Sequence, residues 1–209
     1  MTRALILVDI QNDFLPGGAL GVPDGDGVIP VANRLQEHFD RVYATRDWHP
    51  ADHGSFASQH PGRSPGEWIE LGGVSQILWP DHCVQHSKGA EMAPGLDTRK
   101  IGKYFFKGRD RGIDSYSAFF DNGHLQATGL EACLREEGVD EVVLAGLATD
   151  YCVKFSALDA RQLGFRTVVV EDACRGVELE PGDTDRALDE MRAAGVRIVR
   201  SGDVAGSER

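Results

Sequence analysis

The chain has 209 residues, 41% hydrophobic and 26% charged, with 33 acidic against 22 basic side chains and a formal charge of −11. That length suits one domain with a sizeable core, and the composition argues against long disorder. The acidic balance repels phosphate backbones, which excludes nucleic acid and anionic membranes as natural partners, and no apolar run approaches the ~18 residues of a membrane span.

Ala4 to Val8 is a short apolar run ending at Asp9 and reads as a buried strand. No small-residue cleavage site follows, so a secretory signal is not expected and a cytoplasmic location is. Asp26 is placed to cap a helix from about Val28 to Phe39, with Val28, Val31, Leu35 and Phe39 on one face. Arg41 to Thr45 reads as a strand. Residues 47–97 then form a long loop region rich in Gly, Pro, His and Ser, of the kind that is usually functional. Lys103 to Phe106 is a short strand. Thr128 and Glu131 have capping-box spacing and open a helix through Leu130, Cys133 and Leu134 that stops at Gly138. Glu141 to Gly146 is a strand, Thr149 to Leu163 a helix and Arg166 to Val170 a strand. Asp183 or Thr184 caps a helix with Ala187, Leu188, Met191 and Ala194 on one face, and Val196 to Val199 is the last strand. Ser201 to Arg209 carries no signal and is expected to fray.

In the second half, strands that are continuous apolar runs alternate with helices, the mark of a parallel sheet covered on both faces. The expected fold is a three-layer α/β/α domain with a mostly parallel, roughly six-stranded sheet, formed by residues 1–209 together. Such sheets place their sites beyond the C-terminal strand ends. Asp9, Asp47, Lys107 and the segment before Cys152 all fall at such ends.

Four cysteines occur, none in a C-x-x-C pair, and reduced thiols are expected. Cys83, Cys133 and Cys174 read as small buried hydrophobes. Cys152 differs: the strand before it runs out at Gly146 and a helix begins around Thr149 or Asp150, so the cysteine falls in the first helical turn. Unpaired N–H groups and the positive end of the helix dipole there favour thiolate, so a lowered pKa is expected. The same N–H groups can hold an oxyanion. A catalytic thiol also needs a base and a cation, and Asp9 and Lys107 are candidates for those roles. The competing reading is a structural Asp9–Lys107 ion pair with Cys152 in the core, and spacing alone does not separate the two.

Asp47-Trp48-His49 follows a strand, and residues two apart in extended chain face one side. With His82 they make a two-His, one-carboxylate set that leaves coordination positions open and is compatible with Zn, Fe or Mn. His53 and Ser55 are close enough in sequence to assist directly or through water. The alternative is that these are solvated loop histidines, as expected for His38, His60, His86 and His124. Gly62-Arg-Ser64-Pro-Gly66 fits a nucleophile-elbow pattern and is rejected, because no strand precedes it and Pro65 has no N–H for an oxyanion hole.

Six stretches together point to a family: Val8 to Phe14, Thr45 to Pro50, Trp79 to Val84, Phe106 to Gly108, Asp114 to Phe119 and Gly146 to Val153. In these the chain resembles the isochorismatase-like cysteine hydrolases and, among them, the nicotinamidase family. The resemblance implies that Asp9, Lys107 and Cys152 form a catalytic triad and that Asp47, His49 and His82 bind one divalent metal ion, zinc foremost. His53 matches a fourth ligand position and Ser55 a water-mediated contact. Leu147–Ala148 matches a non-proline cis peptide that turns the Ala148 amide toward the site, where it joins the Cys152 amide as an oxyanion hole. Phe14, Trp79 and Tyr151 match aromatic walls of the substrate pocket, suited to a flat pyridine ring.

The implied reaction is hydrolysis of nicotinamide to nicotinate and ammonia through a Cys152 thioester, in NAD salvage, with the metal orienting the ring. Pyrazinamide is an expected second substrate, and a homo-oligomer is compatible with the sequence. Three rivals are weighed: an isochorismatase-like amidohydrolase of carbamoyl or ureido substrates, a non-haem iron oxygenase using the Asp–His–His set, and a non-enzymatic binding domain. The first would not need the metal set, the second would leave Cys152 and Lys107 idle, and the third predicts that Cys152→Ala changes only stability.

Overall fold

The structure is a computed structural model and describes residues 1–204. A six-stranded sheet runs through it in the order β5-β2-β1-β6-β7-β8. The strands are β1 (Arg3–Val8), β2 (Val42–Asp47), β5 (Ile101–Lys107), β6 (Glu141–Leu147), β7 (Arg166–Arg175) and β8 (Arg197–Val199), and every pairing is parallel. Helices cover both faces, as the continuous apolar runs require. Leu5 and Leu7 of β1 point into one core with α1 (Val28–Leu35) and Val204 of α5 (Ser201–Val204). Ala4, Ile6 and Val8 point into the other, with α2 (Leu130–Glu136), α3 (Lys154–Gln162) and α4 (Asp183–Ala193). That alternation is the two-residue period of a strand buried on both sides.

The expected strands and principal helices are present, with adjustments at their ends. β5 and β7 extend beyond the expected spans, and β7 reaches Arg175. A two-stranded antiparallel hairpin, β3 (Trp68–Leu71) and β4 (Val74–Ile77), lies inside the segment read as loop. The helix expected from Thr149 opens instead with a π-helical turn, Thr149–Val153, in which Val153 N–H donates to Ala148 O at 3.0 Å.

Three caps differ from expectation. Asp26 lies within a 3₁₀ turn, Gly25–Gly27, and makes no cap. The Thr128 hydroxyl accepts from Leu130 N–H at 3.2 Å, but Glu131 turns to Arg135 instead of closing the box. At α4, Asp183 bonds back to Glu180 N–H, and Glu178 accepts the Gly182 and Thr184 N–H groups. A carboxylate from outside the helix thus satisfies the first-turn donors. Ala194 is exposed beyond the end of α4, and Val31 and Leu188 are half-buried. Cys133 is half-buried rather than core. Of the tail expected to fray, Ser201 is held by Asp172, its N–H at 2.7 Å and its hydroxyl at 2.6 Å, and 205–209 lie outside the described residues.

The chain winds from β1 outward to β2 and β5, then returns to the other side of β1 with β6. The direction therefore switches between β1 and β6. In such sheets the crevice beyond the carboxyl ends at the switch is where ligands bind.

Candidate active site

Lys107, the last residue of β5, is 2% exposed, and its ammonium lies at the centre of this crevice. It donates to Asp47 Oδ1 at 2.5 Å, to Ser115 O at 3.0 Å and to Cys152 Sγ at 3.3 Å. Asp9 Oδ2 is 2.8 Å away, an ion pair without hydrogen-bond alignment. The three side-chain partners come from different strand ends. Asp9 follows β1 with a left-handed φ of 48°, Asp47 ends β2, and Cys152 follows β6 in the π turn. The Thr45 hydroxyl donates to Asp9 Oδ1 at 2.6 Å and accepts Asp9 N–H at 3.2 Å, which fixes the carboxylate.

Burial works against the Lys107 charge, but the Asp47 and Asp9 carboxylates overcome it and raise its pKa well above the ordinary range. Burial also works to raise Asp47. The Lys107 ammonium and then His49 outweigh it and hold that carboxyl well below the usual range. For Asp9 burial prevails over Lys107, and its carboxyl is raised. Burial likewise pushes the Cys152 thiol well up; Lys107 opposes this, and the two carboxylates add to it. This corrects the expectation of a lowered thiol pKa. A helix terminus acts as about half a charge, whereas Cys152 is desolvated and faces two full carboxylates. The resting side chain is a thiol beside a raised carboxylate, with ligand atoms of Asp9, Asp47 and Cys152 all within 4.8 Å of one another.

The Asp47 carboxylate also faces two imidazoles, with Oδ2 at 3.7 Å from His49 Nε2 and 3.8 Å from His82 Nε2. His49 Nδ1 lies 2.9 Å from Gly108 O and His82 Nδ1 2.8 Å from Pro80 O. A carbonyl only accepts, so each Nδ1 donates its hydrogen there, and each Nε2, the atom that serves as a metal ligand when the ring is neutral, faces Asp47. His49 Nε2 is buried with no hydrogen-bond partner. Three donors converging within 4.8 Å, two of them oriented by backbone carbonyls, fit a metal ion. Gly108, at φ 63°, makes room for this: a Cβ there would collide with the His49 ring.

His53 and Ser55 pair with each other. Ser55 N–H points to His53 Nδ1 at 3.2 Å, with Oγ at 2.7 Å, so that nitrogen accepts and Nε2 carries the hydrogen. Burial brings the His53 pKa down to about 4, so the ring is neutral. Neither residue belongs to the Asp47–His49–His82 group, although His53 forms a second cluster with His49 and Asp114. His38, His86 and His124 are exposed and His60 is half-buried, and Ser64 is exposed in a turn.

Phe14, Trp79 and Tyr151 line one pocket above these groups, about 340 Å³ to its open mouth, with Cys152, Ala148 and His82 also in its wall. Trp79 and Tyr151 meet edge to face at 4.8 Å. The Leu147–Ala148 peptide is cis, and Ala148 N–H meets no acceptor among the described residues. Sequence reasoning did not single out Asp114, Tyr116, Leu20 or Val177, which share this wall. The Tyr116 hydroxyl accepts from Trp79 Nε1 at 3.1 Å and from Gln76 Nε2 at 2.7 Å. Gln11 was likewise missed. It brackets the Asp47 peptide, accepting its N–H at 2.8 Å and donating to its carbonyl at 2.9 Å. Both Gln11 and Tyr116 lie inside stretches that carried the family resemblance, but nothing in their spacing marks a role.

A family model described as "Isochorismatase domain" matches residues 3–203. A nicotinamidase of Escherichia coli (strain K12) is 54% identical over 200 residues, covering 94% of this chain and 93% of the relative. A solved nicotinamidase–pyrazinamidase of Acinetobacter baumanii superposes with a TM-score of 0.94 at 46% identity, over 97% of this chain and 98% of that one. Pyrazinamidase of Pyrococcus horikoshii, solved in complex with zinc, superposes with a TM-score of 0.78 at 38% identity, over 96% and 99%. With a parallel sheet whose strand ends gather an Asp, a Lys and a Cys beside an Asp–His–His cluster, the chain belongs to the isochorismatase family, alongside relatives named nicotinamidase.

Proposed function

We propose that this protein hydrolyses nicotinamide to nicotinate and ammonia through a Cys152 thioester, and that pyrazinamide is a second substrate. The observation that carries the reading is the position of the Lys107 ammonium, bonded at once to Asp47 and the Cys152 sulfur and paired with Asp9, where Asp47 and Cys152 themselves line an aromatic slot. The names of the relatives support the substrate class.

Asp47, His49 and His82 would hold a divalent cation, with zinc favoured by the zinc complex of the related pyrazinamidase. When bound, that cation supplies a Lewis-acidic position for the ring nitrogen of the substrate. His53 and Ser55 stand outside the ligand set. Phe14, Trp79 and Tyr151 sandwich the ring and keep its carboxamide over Cys152.

Asp9 takes the thiol proton as Sγ bonds to the carboxamide carbon, and Lys107 stabilises the negative charge that develops on sulfur. The Ala148 and Cys152 N–H groups hold the oxyanion. Asp9 returns the proton to the nitrogen, the C–N bond breaks and ammonia leaves. Asp9 then deprotonates a water that attacks the thioester, and the sulfur leaves, regaining its proton from Asp9.

The test is ammonia release from nicotinamide by the zinc-loaded protein beside Cys152→Ala. Release that depends on Cys152 supports the reading. An inert wild type overturns the substrate and moves the search to carbamoyl and ureido amides, and an active Cys152→Ala overturns the thioester.

A further inference from the structure

Asp13 touches neither the Lys107 cluster nor the pocket, yet its carboxylate meets the chain at the residue that follows His82. Asp13 Oδ2 accepts the Cys83 N–H at 2.7 Å. Cys83 has a φ of 46°, left-handed and uncommon for a residue with a side chain. The carbonyl of the same Cys83 accepts His49 N–H at 3.0 Å. One residue thus sits between two imidazoles: it follows His82 directly and holds the backbone of His49.

Asp13 is itself held tightly. Its N–H donates to Gly89 O at 3.0 Å, and its own carbonyl accepts Leu20 N–H at 3.0 Å. A Cβ on Gly89 would fall on the Asp13 carboxylate, so the glycine is what allows the carboxylate to reach Cys83. The neighbouring Phe14 ring packs against the His82 ring with centroids 5.5 Å apart.

We propose that Asp13 is a positioning residue for the metal centre: by anchoring Cys83 in its left-handed conformation it aims the Nε2 atoms of His82 and His49 at the point they share with Asp47. Gly89 belongs to the same device. The inference rests on the metal site proposed above. It concerns aim rather than ligation, because Asp13 offers no atom to the metal.

Zinc affinity, measured by competition with a chromogenic chelator, tests this apart from activity. Removing an outer-shell partner of a metal site weakens affinity by about 10–100-fold, and Asp13→Ala is expected to fall in that range. Asp13→Asn, whose amide oxygen can still accept from Cys83, is expected to retain most of the affinity. Gly89→Ala, which displaces the carboxylate without removing it, is expected to lose affinity like Asp13→Ala. Adding Cys83→Gly to Asp13→Ala is expected to recover part of the loss, because glycine adopts positive φ at no steric cost. A purely stabilising Asp13 would show no such recovery in affinity. If the wild type binds zinc and Asp13→Ala binds it equally well, or Cys83→Gly restores nothing, the proposal is overturned alone. If the wild type takes up no zinc, the metal site is overturned and the proposal with it.

Discussion

The ammonium of Lys107 stands 3.3 Å from the sulfur of Cys152, with both side chains buried, although 45 residues separate them. No other cation approaches that sulfur among the described residues, while two carboxylates do. Burial and the carboxylates therefore hold Cys152 toward the thiol, and in the proposed reaction Lys107 lowers the cost of generating the thiolate during attack.

Lys107→Met should abolish this balance. Kcat is expected to fall by about 10²–10⁴-fold, the range for loss of a positioned catalytic group. The variant should also lose about 3–5 kcal/mol of stability, because Asp9 and Asp47 are left buried without their shared cation. Urea denaturation beside steady-state ammonia release checks both; a variant as stable as the wild type would show that the pair is not coupled as argued.

In the proposed mechanism Asp9 sets the acid limb of the pH profile. Burial raises its carboxyl above the ordinary 3.8, and a protonated Asp9 cannot accept the thiol proton. The profile of kcat/KM should fall, as pH drops, through an apparent pKa above 3.8. The stability terms have opposite signs. A raised folded pKa means that Asp9 favours the folded state most at pH below 3.8 and loses that contribution as pH rises through its raised value. Asp47, held below 3.8, contributes above that pH and loses its contribution as pH falls toward its lowered value. An acid limb at or below 3.8 contradicts the assignment of Asp9 as base.

His82→Ala removes one of the three converging donors. Zinc affinity should drop, and KM for nicotinamide should rise by more than kcat falls, because in the proposed mechanism the bound cation orients the ring. A variant that no longer binds zinc in a chelator competition yet keeps kcat/KM would rule out the orienting role.

Tyr116→Phe deletes the hydroxyl that accepts from Trp79 and Gln76. Leaving such donors unpaired costs about 1–3 kcal/mol, and the Trp79 wall should loosen. KM is expected to rise by about 5-fold or more, within what that energy allows, while kcat changes little, because the Tyr116 hydroxyl bonds to Trp79 and Gln76 and not to Cys152, Asp9 or Lys107. A drop confined to kcat would place Tyr116 in the chemistry instead.

Much of the sheet was legible because burial on both faces writes continuous apolar runs, and Ala4–Val8 and Val142–Ala145 are such runs. The β3–β4 hairpin was not read: the strands are short and the exposed Trp68 hides the apolar–polar alternation of β3, although Gly72-Gly73 is a turn signal between them. The caps misled for a related reason. Asp26 and Asp183 are good capping types, but the α4 donors are taken by Glu178, a residue outside the helix.

By itself the sequence determined the strand-end placement of Asp9, Asp47 and Lys107, the placement of Cys152 in a first helical turn, and the family, because local periodicity and contiguous motifs encode these. The tertiary structure decided that Asp9, Asp47 and Cys152 meet around the Lys107 ammonium, that Cys152 is raised rather than lowered, and that Asp13 reaches Cys83. These depend on distances between side chains on separate strands. The sheet order β5-β2-β1-β6 sets those distances, and charge and burial act through space rather than along the chain.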